Sequence, residues 1–259
     1  MINNTTKHRL RAGETVVGCF YPYADANLAE YLALLGWDFL VFDGEHGPLE
    51  AADLHDLVRA AEVRGVTPIA RVATNQPHLI LRALDTGAHG VHVPWVNTAE
   101  EAVAAVRAVK YQPEGLRGLA GVRAADWGVA EPLADYVVRA NRETLVVVHV
   151  ETAAAVNRID ELVAVGGVDV LFIGPSDLSH SLGVTGQVDH PAMREALARV
   201  ASAVVGSDTA LGIMVKSTGM ADEWRERGAT YITTSLTSVL QPGAHQYVAA
   251  TRGGAETPS

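Results

Sequence analysis

The chain is expected to fold as a TIM (β/α)8 barrel, and three observations carry that expectation. Eight short apolar runs alternate with amphipathic stretches along 259 residues, the rhythm of a parallel sheet wrapped by helices. No glycine-rich phosphate turn of the form G-x-G-x-x-G or G-x-x-x-x-G-K-[ST] follows an early run, although a doubly wound sheet would normally show one. The polar residues that interrupt the pattern fall at the C-terminal ends of the runs, the face on which barrels carry their chemistry.

The runs are read as strands over 15–21, 38–43, 67–73, 90–96, 144–151, 168–174, 211–217 and 230–236. Each is a short run rich in β-branched, aromatic or other apolar residues. Between them, "LEAADLHDLVRAAEVRG" sets Leu54, Leu57, Val58 and Ala61 at helical spacing, with Gly65 as a stop. "TAEEAVAAVRAVK" opens with Thr98 and Glu101, the spacing of a capping box. "HPAMREALARVASAVV" and "GMADEWRERG" read as helices by the same rule. One connection, from Tyr111 to Glu143, is long for a compact domain and is expected to form a lid or an interface, ending in its own helix near "PLADYVVRAN". No Pro/Ser-rich linker divides the chain, so residues 1–259 are expected to form one barrel domain, with a frayed tail from about 252.

Composition narrows the function classes. A formal net charge of −10 and no basic stripe argue against nucleic acid. The single cysteine, Cys19, rules out an intramolecular disulfide and a cysteine-cluster metal site. No run approaches the ~20 apolar residues of a membrane span. The N-terminus lacks the apolar core of a signal peptide, so a cytoplasmic location is expected.

The strand ends supply the candidate site. The second strand runs out into Asp43, Glu45 and His46, the third carries Arg71, the fifth ends in His149 and Glu151, the sixth leads to Asp177, and the seventh ends in Lys216. Alternation along "VVVHVE" turns Val147, His149 and Glu151 to one side. Two carboxylates from adjacent strands suit a hard divalent cation such as Mg2+ or Mn2+. They equally suit a salt-bridge partner at Glu151 and a helix N-cap at Asp177. His46 has the pKa range of a proton-transfer group, or is a loop histidine bonded to backbone. Arg71 within a buried strand needs an anion partner, either a structural carboxylate or a developing oxyanion. Lys216 in a desolvated place would be able to form a Schiff base; a lysine reaching out to the rim is the favoured reading. His92 and Trp95 are expected to be packing residues.

The stretches "FDGEHGP", "DTGAHGVHVPWVNTAEEA", "YQPEGLRG", "VHVETAAAVNRIDEL" and "VDVLFIGPSDLSHSLG" resemble, in order and spacing, the HpcH/HpaI aldolase family. Its members are class II, metal-dependent pyruvate aldolases. The resemblance spans about Gly18 to Leu236 and rests on the combination of "DGEH", "VET" and "FIGPSDLS". It implies a barrel of the phosphoenolpyruvate/pyruvate type and reversible cleavage of a 4-hydroxy-2-oxo acid to pyruvate and an aldehyde. It further implies a divalent cofactor (Mg2+, Mn2+ or Co2+) on Glu151 and Asp177. Proton transfer would fall to His46, with Asp43 nearby and Asp85 as its partner. Arg71 would meet the substrate carbonyl oxygen, and the backbone amides of Ser176 and Asp177 the pyruvate carboxylate. A homohexamer of dimers that exchange C-terminal helices is implied too.

Departures from the family pattern bear on specificity. His149 stands where Gln is frequent, as a third ligand, a substrate contact or a holder of water. "GVRAADWG" differs from better-known members where the acceptor aldehyde would be selected. Two rival functions remain: a CoA-thioester lyase of the citrate lyase β type, which usually has a longer and more basic chain, and a non-catalytic barrel that binds a metal or keto acid. The Lys-Lys-Cys-Gly-His signature of the phosphoenolpyruvate mutase and isocitrate lyase branch is absent.

Overall fold

In the computed structural model, which describes residues 3–252, eight parallel strands close into a barrel in sequence order. They are β1 (Val16–Tyr21), β2 (Phe39–Asp43), β3 (Thr67–Arg71), β4 (Gly90–Val93), β5 (Leu145–Val150), β6 (Val170–Ile173), β7 (Ala210–Met214) and β8 (Tyr231–Ser235). All eight lie within the runs read as strands, apart from the first residue of β7. The helices are α1 (Thr5–Arg11), α2 (Ala26–Ala33), α3 (Ala51–Val63), α4 (Pro77–Asp85), α5 (Ala99–Val109) and α6 (Leu133–Glu143) in the first half. The second half adds α7 (Ala153–Asn157), α8 (Ile159–Val163), α9 (Pro175–Ser181), α10 (Pro191–Val204), α11 (Thr218–Glu226) and α12 (Leu236–Thr251). The part of the tail beyond 252, expected to fray, lies outside the described residues.

Strand alternation builds two cores. Val146, Val148 and Val150 of β5 join the layer between sheet and helices. Val147 points inward with Phe20, Phe39, Val41, Ile69, Phe172 and Tyr231. The lumen is therefore filled by side chains rather than open. Register then aligns the polar groups: Asp43 pairs with Arg71, and Arg71 with His92, placing three adjacent strands' functional residues in one row.

The capping features behave largely as their chemistry dictates. Thr98 accepts the Glu101 N–H at 3.2 Å, while the Glu101 carboxylate takes the N–H of Asn97, one residue before the cap. Gly65 follows α3 at φ +75°, a conformation in which glycine carries no Cβ penalty.

Helix α1, absent from the sequence reading, seals the N-terminal end of the barrel. Asn4 caps it by accepting the Lys7 N–H, and its own amide donates to the carbonyls of His89 and Glu143. Lys7 Nζ donates to the Thr144 carbonyl and to Asp169, both at 2.8 Å. Of the two roles expected for the long connection, lid or interface, the first is not met within the chain. The connection leaves α5 at the same end and folds back on the outer helical layer, where Arg123 pairs with Glu62 and donates to the Thr86 carbonyl. Its helix α6 forms where expected, and Tyr111, Ala124, Ala125, Tyr136 and Ala140 give it a small core of its own. It is not a lid over the mouth of its own chain.

Lys110, at the same sealed end, donates to the carbonyls of Asn141 (2.5 Å) and Thr144 (3.0 Å). Burial, reinforced by the nearby Lys7, lowers its ammonium from 10.5 to about 8. The folded chain therefore binds fewer protons than the unfolded one between those values. The cost of burying this charge is complete below about pH 8 and is relieved as pH rises toward 10.5. Across that window the wild type should gain about 2–4 kcal/mol relative to Lys110→Met, read as the pH dependence of the difference between their urea unfolding curves. Parallel curves would show that the lysine is not strained.

Candidate active site

The turn after β2 answers to one carboxylate. Asp43 Oδ1 accepts the N–H groups of Glu45 (3.0 Å) and His46 (3.1 Å), so the aspartate ends the strand by binding its own following backbone. Gly47 completes the turn: a Cβ there would lie 2.5 Å from the Asp43 carbonyl oxygen and 2.8 Å from that of Pro22. Asp43 also holds Arg71 with both oxygens, from Nε at 2.8 Å and Nη2 at 2.5 Å. The third guanidinium nitrogen, Nη1, lies 3.0 Å from Glu45 Oε2. That ion pair falls short of hydrogen-bond geometry, and Oε2 has no donor among the described residues. Beneath, Arg71 stacks over Phe20 at 4.9 Å.

These contacts explain the charge states. Burial would raise the Asp43 carboxyl, but the bidentate guanidinium and the two N–H groups hold it below the usual range. Glu45 is pushed up by burial; Arg71 opposes this, while the charge of Glu151 adds to it. Arg71 has thus found structural carboxylates, and Asp43 serves to place Arg71 and the His46 backbone. The His46 side chain itself is exposed at the rim.

Glu151, just past β5, is only 2% exposed. Its Oε1 accepts the Trp95 backbone N–H at 2.6 Å, and Oε2 lies 3.0 Å from His149 Nδ1. Burial is again overridden, here by His149 first and then by the Trp95 N–H, leaving the carboxyl below its usual range. Gly174 makes room for it, since a Cβ there would meet Glu151 Oε2 at 2.8 Å. Gly174 also begins the turn into α9, whose first turn carries Ser176 and Asp177. Asp177 is half-buried and does not cap its own helix: the N-cap is Gly174, with no side-chain cap bond. The first-turn amides of α9 therefore lack intrahelical partners.

These residues fit a hard cation. Glu151 and Asp177 present only oxygen, and each Glu151 oxygen keeps a lone pair beyond its one partner. Among the described residues no group of three or more His, Cys, Asp or Glu is placed to hold a metal.

Four expectations are corrected. His149 is neither a third ligand nor a substrate contact, because its two ring nitrogens are taken by Glu151 and His92 and it is 1% exposed. Asp85 does not partner His46 within the chain. It closes α4, about 12 Å along the helix from the end nearest the mouth, and its carboxylate accepts from Arg117 Nη2 at 2.8 Å. Trp95 is not a packing residue: it is 47% exposed at φ +57°, and its indole Nε1 donates to Glu45 Oε1 at 3.1 Å. That indole reaches from the loop after β4 to the loop after β2, across the end of β3. "GVRAADWG" lies with the outer excursion, away from its own mouth. Lys216 is exposed beyond β7, which removes the desolvation a Schiff-base lysine needs.

Removing Arg71 would leave Asp43 and Glu45 as buried carboxylates without a counter-charge. Arg71→Leu should destabilise the fold by about 3–5 kcal/mol in equilibrium urea unfolding, and adding Asp43→Asn should recover part of that loss. A single-variant loss below about 1 kcal/mol would place the pair among surface-like bridges.

Comparison with known proteins places the fold in a family. The family model described as HpcH/HpaI aldolase/citrate lyase matches residues 16–241. A hydroxypyruvate/pyruvate aldolase of Sagittula stellata is 37% identical over 238 residues, covering 92% of this chain and 93% of the relative. A 5-keto-4-deoxy-D-glucarate aldolase of Escherichia fergusonii is 34% identical over 229 residues, covering 88% and 89%. The crystal structure of an HpcH/HpaI aldolase/citrate lyase family protein from Burkholderia cenocepacia superposes with a TM-score of 0.91 at 37% identity, covering 96% of this chain and all of that one. With the barrel, the strand-end carboxylates and these matches together, the chain belongs to the HpcH/HpaI aldolase/citrate lyase family.

Proposed function

We propose that this protein is a class II pyruvate aldolase, cleaving a 4-hydroxy-2-oxo acid to pyruvate and an aldehyde and catalysing the reverse addition. The observation that carries this reading is the buried Glu151 carboxylate, fixed by Trp95 and His149 and packed on Gly174 beside the turn of Asp177. Family membership supports it, and relatives named hydroxypyruvate/pyruvate aldolase extend the donor to hydroxypyruvate. The CoA-lyase alternative gains nothing from the charge balance, since 20 basic against 30 acidic residues do not favour CoA phosphates.

Glu151 and Asp177 would hold a Mg2+, Mn2+ or Co2+ ion, few protein ligands leaving positions for a chelating 2-oxo acid. When bound, the cation withdraws charge from the keto oxygen and makes the neighbouring C–H more acidic. Arg71, held in place by Asp43 and Glu45, adds positive charge where negative charge develops on the carbonyl oxygen. The free amides of Ser176 and Asp177 face the carboxylate. His46 at the rim takes the 4-hydroxyl proton in cleavage. The O–H electron pair then becomes the aldehyde C=O, the C3–C4 bond breaks, and its electrons remain on the pyruvate fragment, which is protonated at C3. The indole of Trp95, bridging to Glu45, forms one wall that the aldehyde meets. We also place the enzyme in the cytoplasm. The exposed Val239, Leu240 and Tyr247 of α12 support a homo-oligomer built through that helix, in line with the hexamer the resemblance implies.

Pyruvate methyl protons should exchange with D2O only when a divalent cation is present, followed by proton NMR. Chelation, Glu151→Ala and Asp177→Ala should each stop the exchange, and both variants should lose Mn2+ binding in calorimetry. Exchange that survives chelation, together with borohydride labelling of Lys216 in the presence of pyruvate, would replace this mechanism with a Schiff-base one.

His46→Ala should lower turnover at saturating metal by about 10²–10⁴ while pyruvate affinity, titrated directly, stays near wild type. The opposite split, with affinity lost and turnover kept at saturation, would make His46 a binding residue.

A further inference from the structure

A polar chain crosses the lumen below the site. Tyr231 of β8, His92 of β4 and His149 of β5 are 0%, 0% and 1% exposed. The Tyr231 hydroxyl lies 2.8 Å from His92 Nε2, His92 Nδ1 lies 2.9 Å from His149 Nε2, and His149 Nδ1 lies 3.0 Å from Glu151 Oε2. Gly212 of β7 makes the crossing possible. A Cβ there would meet Phe172 at 2.9 Å and the Tyr231 ring at 3.2 Å, so a side chain at this position would crowd the tyrosine.

Hydrogen counting gives the chain a direction. A neutral imidazole donates through one nitrogen and accepts through the other, and a carboxylate only accepts. His149 Nδ1 must therefore carry a proton toward Glu151. Its Nε2 then accepts from His92 Nδ1–H, and His92 Nε2 accepts the Tyr231 O–H. Every donor points toward Glu151 and none is stranded. The reversed arrangement needs an imidazolium at His149 and a His92 that donates to Tyr231. It leaves the tyrosine's own proton without an acceptor, since His92 is the hydroxyl's one partner among the described residues; a stranded buried donor is costly.

We propose that Tyr231, His92 and His149 form a directional positioning chain that holds the Glu151 carboxylate in the orientation in which it binds a divalent cation. This rests on the reading of Glu151 as a metal ligand. None of the three touches substrate. The chain acts on Oε2, while the Trp95 N–H fixes Oε1, so the carboxylate cannot rotate without breaking a bond at each end.

The test has two parts. In metal-free, 15N-labelled protein, long-range 1H–15N correlation, assigned with His92→Gln and His149→Gln, should show both histidines neutral with the proton on Nδ1. An imidazolium, or an Nε2–H form at either residue, overturns the proposal. Calorimetry with Mn2+ should then show affinity falling about 10-fold in Tyr231→Phe, within the range for residues that orient metal ligands. His149→Gln, which keeps an N–H donor for Glu151, should bind more tightly than His149→Leu. Unchanged Mn2+ affinity in Tyr231→Phe, or equal affinity in the two His149 variants, refutes the positioning role while leaving Glu151 as a ligand. If the wild type itself binds no Mn2+, the ligand assignment fails and the proposal with it, whatever the tautomers.

Discussion

The guanidinium of Arg71 is the charge around which the mouth is arranged. A cation 8% exposed at the end of a strand has to be paired, because the desolvation cost of a lone buried charge exceeds what the fold can spare. Asp43 meets it from β2 with both oxygens and Glu45 meets it from the turn. The same Asp43 oxygen that receives Nε also receives two backbone N–H groups, so the ion pair and the turn geometry are one construction. Glu45 then reaches the indole of Trp95, and the backbone of Trp95 reaches Glu151. Four successive βα loops or strand ends are tied together through that sequence of contacts.

The barrel treats its two ends differently. At the N-terminal end, cations are buried for closure: Lys7 and Lys110 share the Thr144 carbonyl, with Asp169 as the nearby anion. At the C-terminal end, carboxylates are buried and kept ionised by guanidinium, imidazole and backbone N–H groups. Of the three lysines in the chain, only Lys216 stands at the chemical end, and it is exposed. The excess of anionic oxygen at the mouth is what a hard cation requires, and one arginine supplies the fixed positive charge beside it.

Between the two ends, the lumen is mostly apolar, and its polar members are joined rather than scattered. His92 is held neutral first by burial, and the nearby charge of Arg71 acts in the same direction. Tyr231 is pushed well above its ordinary value by burial. A neutral imidazole and a neutral phenol are the forms that can be hydrogen-bonded inside a core at moderate cost. His149 therefore adds to the connectivity below the site, bonded to His92 on one side and Glu151 on the other.

The order of the strands, the inward placement of Val147, His149 and Glu151, and the helix signals at Thr98 and Gly65 were legible in the amino-acid sequence, because each depends on local periodicity or on a single residue's backbone preference. The "DGEH" and "GPSD" stretches were legible as candidate positions at the barrel mouth for a related reason: polar groups at the end of an apolar run have to face an opening. Other features were decided only in three dimensions. α1 is too short and too polar to show a periodic face, and its role comes from Asn4 and Lys7 finding partners more than 80 residues away. The left-handed backbone of Trp95 carries no local signature, since Gly or Asn would be the usual occupant, and it is stabilised by a contact with Glu151, 56 residues on. Asp85 shared a motif with site residues, yet helix length carried it to the outer layer and Arg117. The link from Tyr231 to His92 spans 139 residues. Closure of the barrel brings β8 to where its tyrosine can reach β4, and no pattern within either strand encodes that meeting.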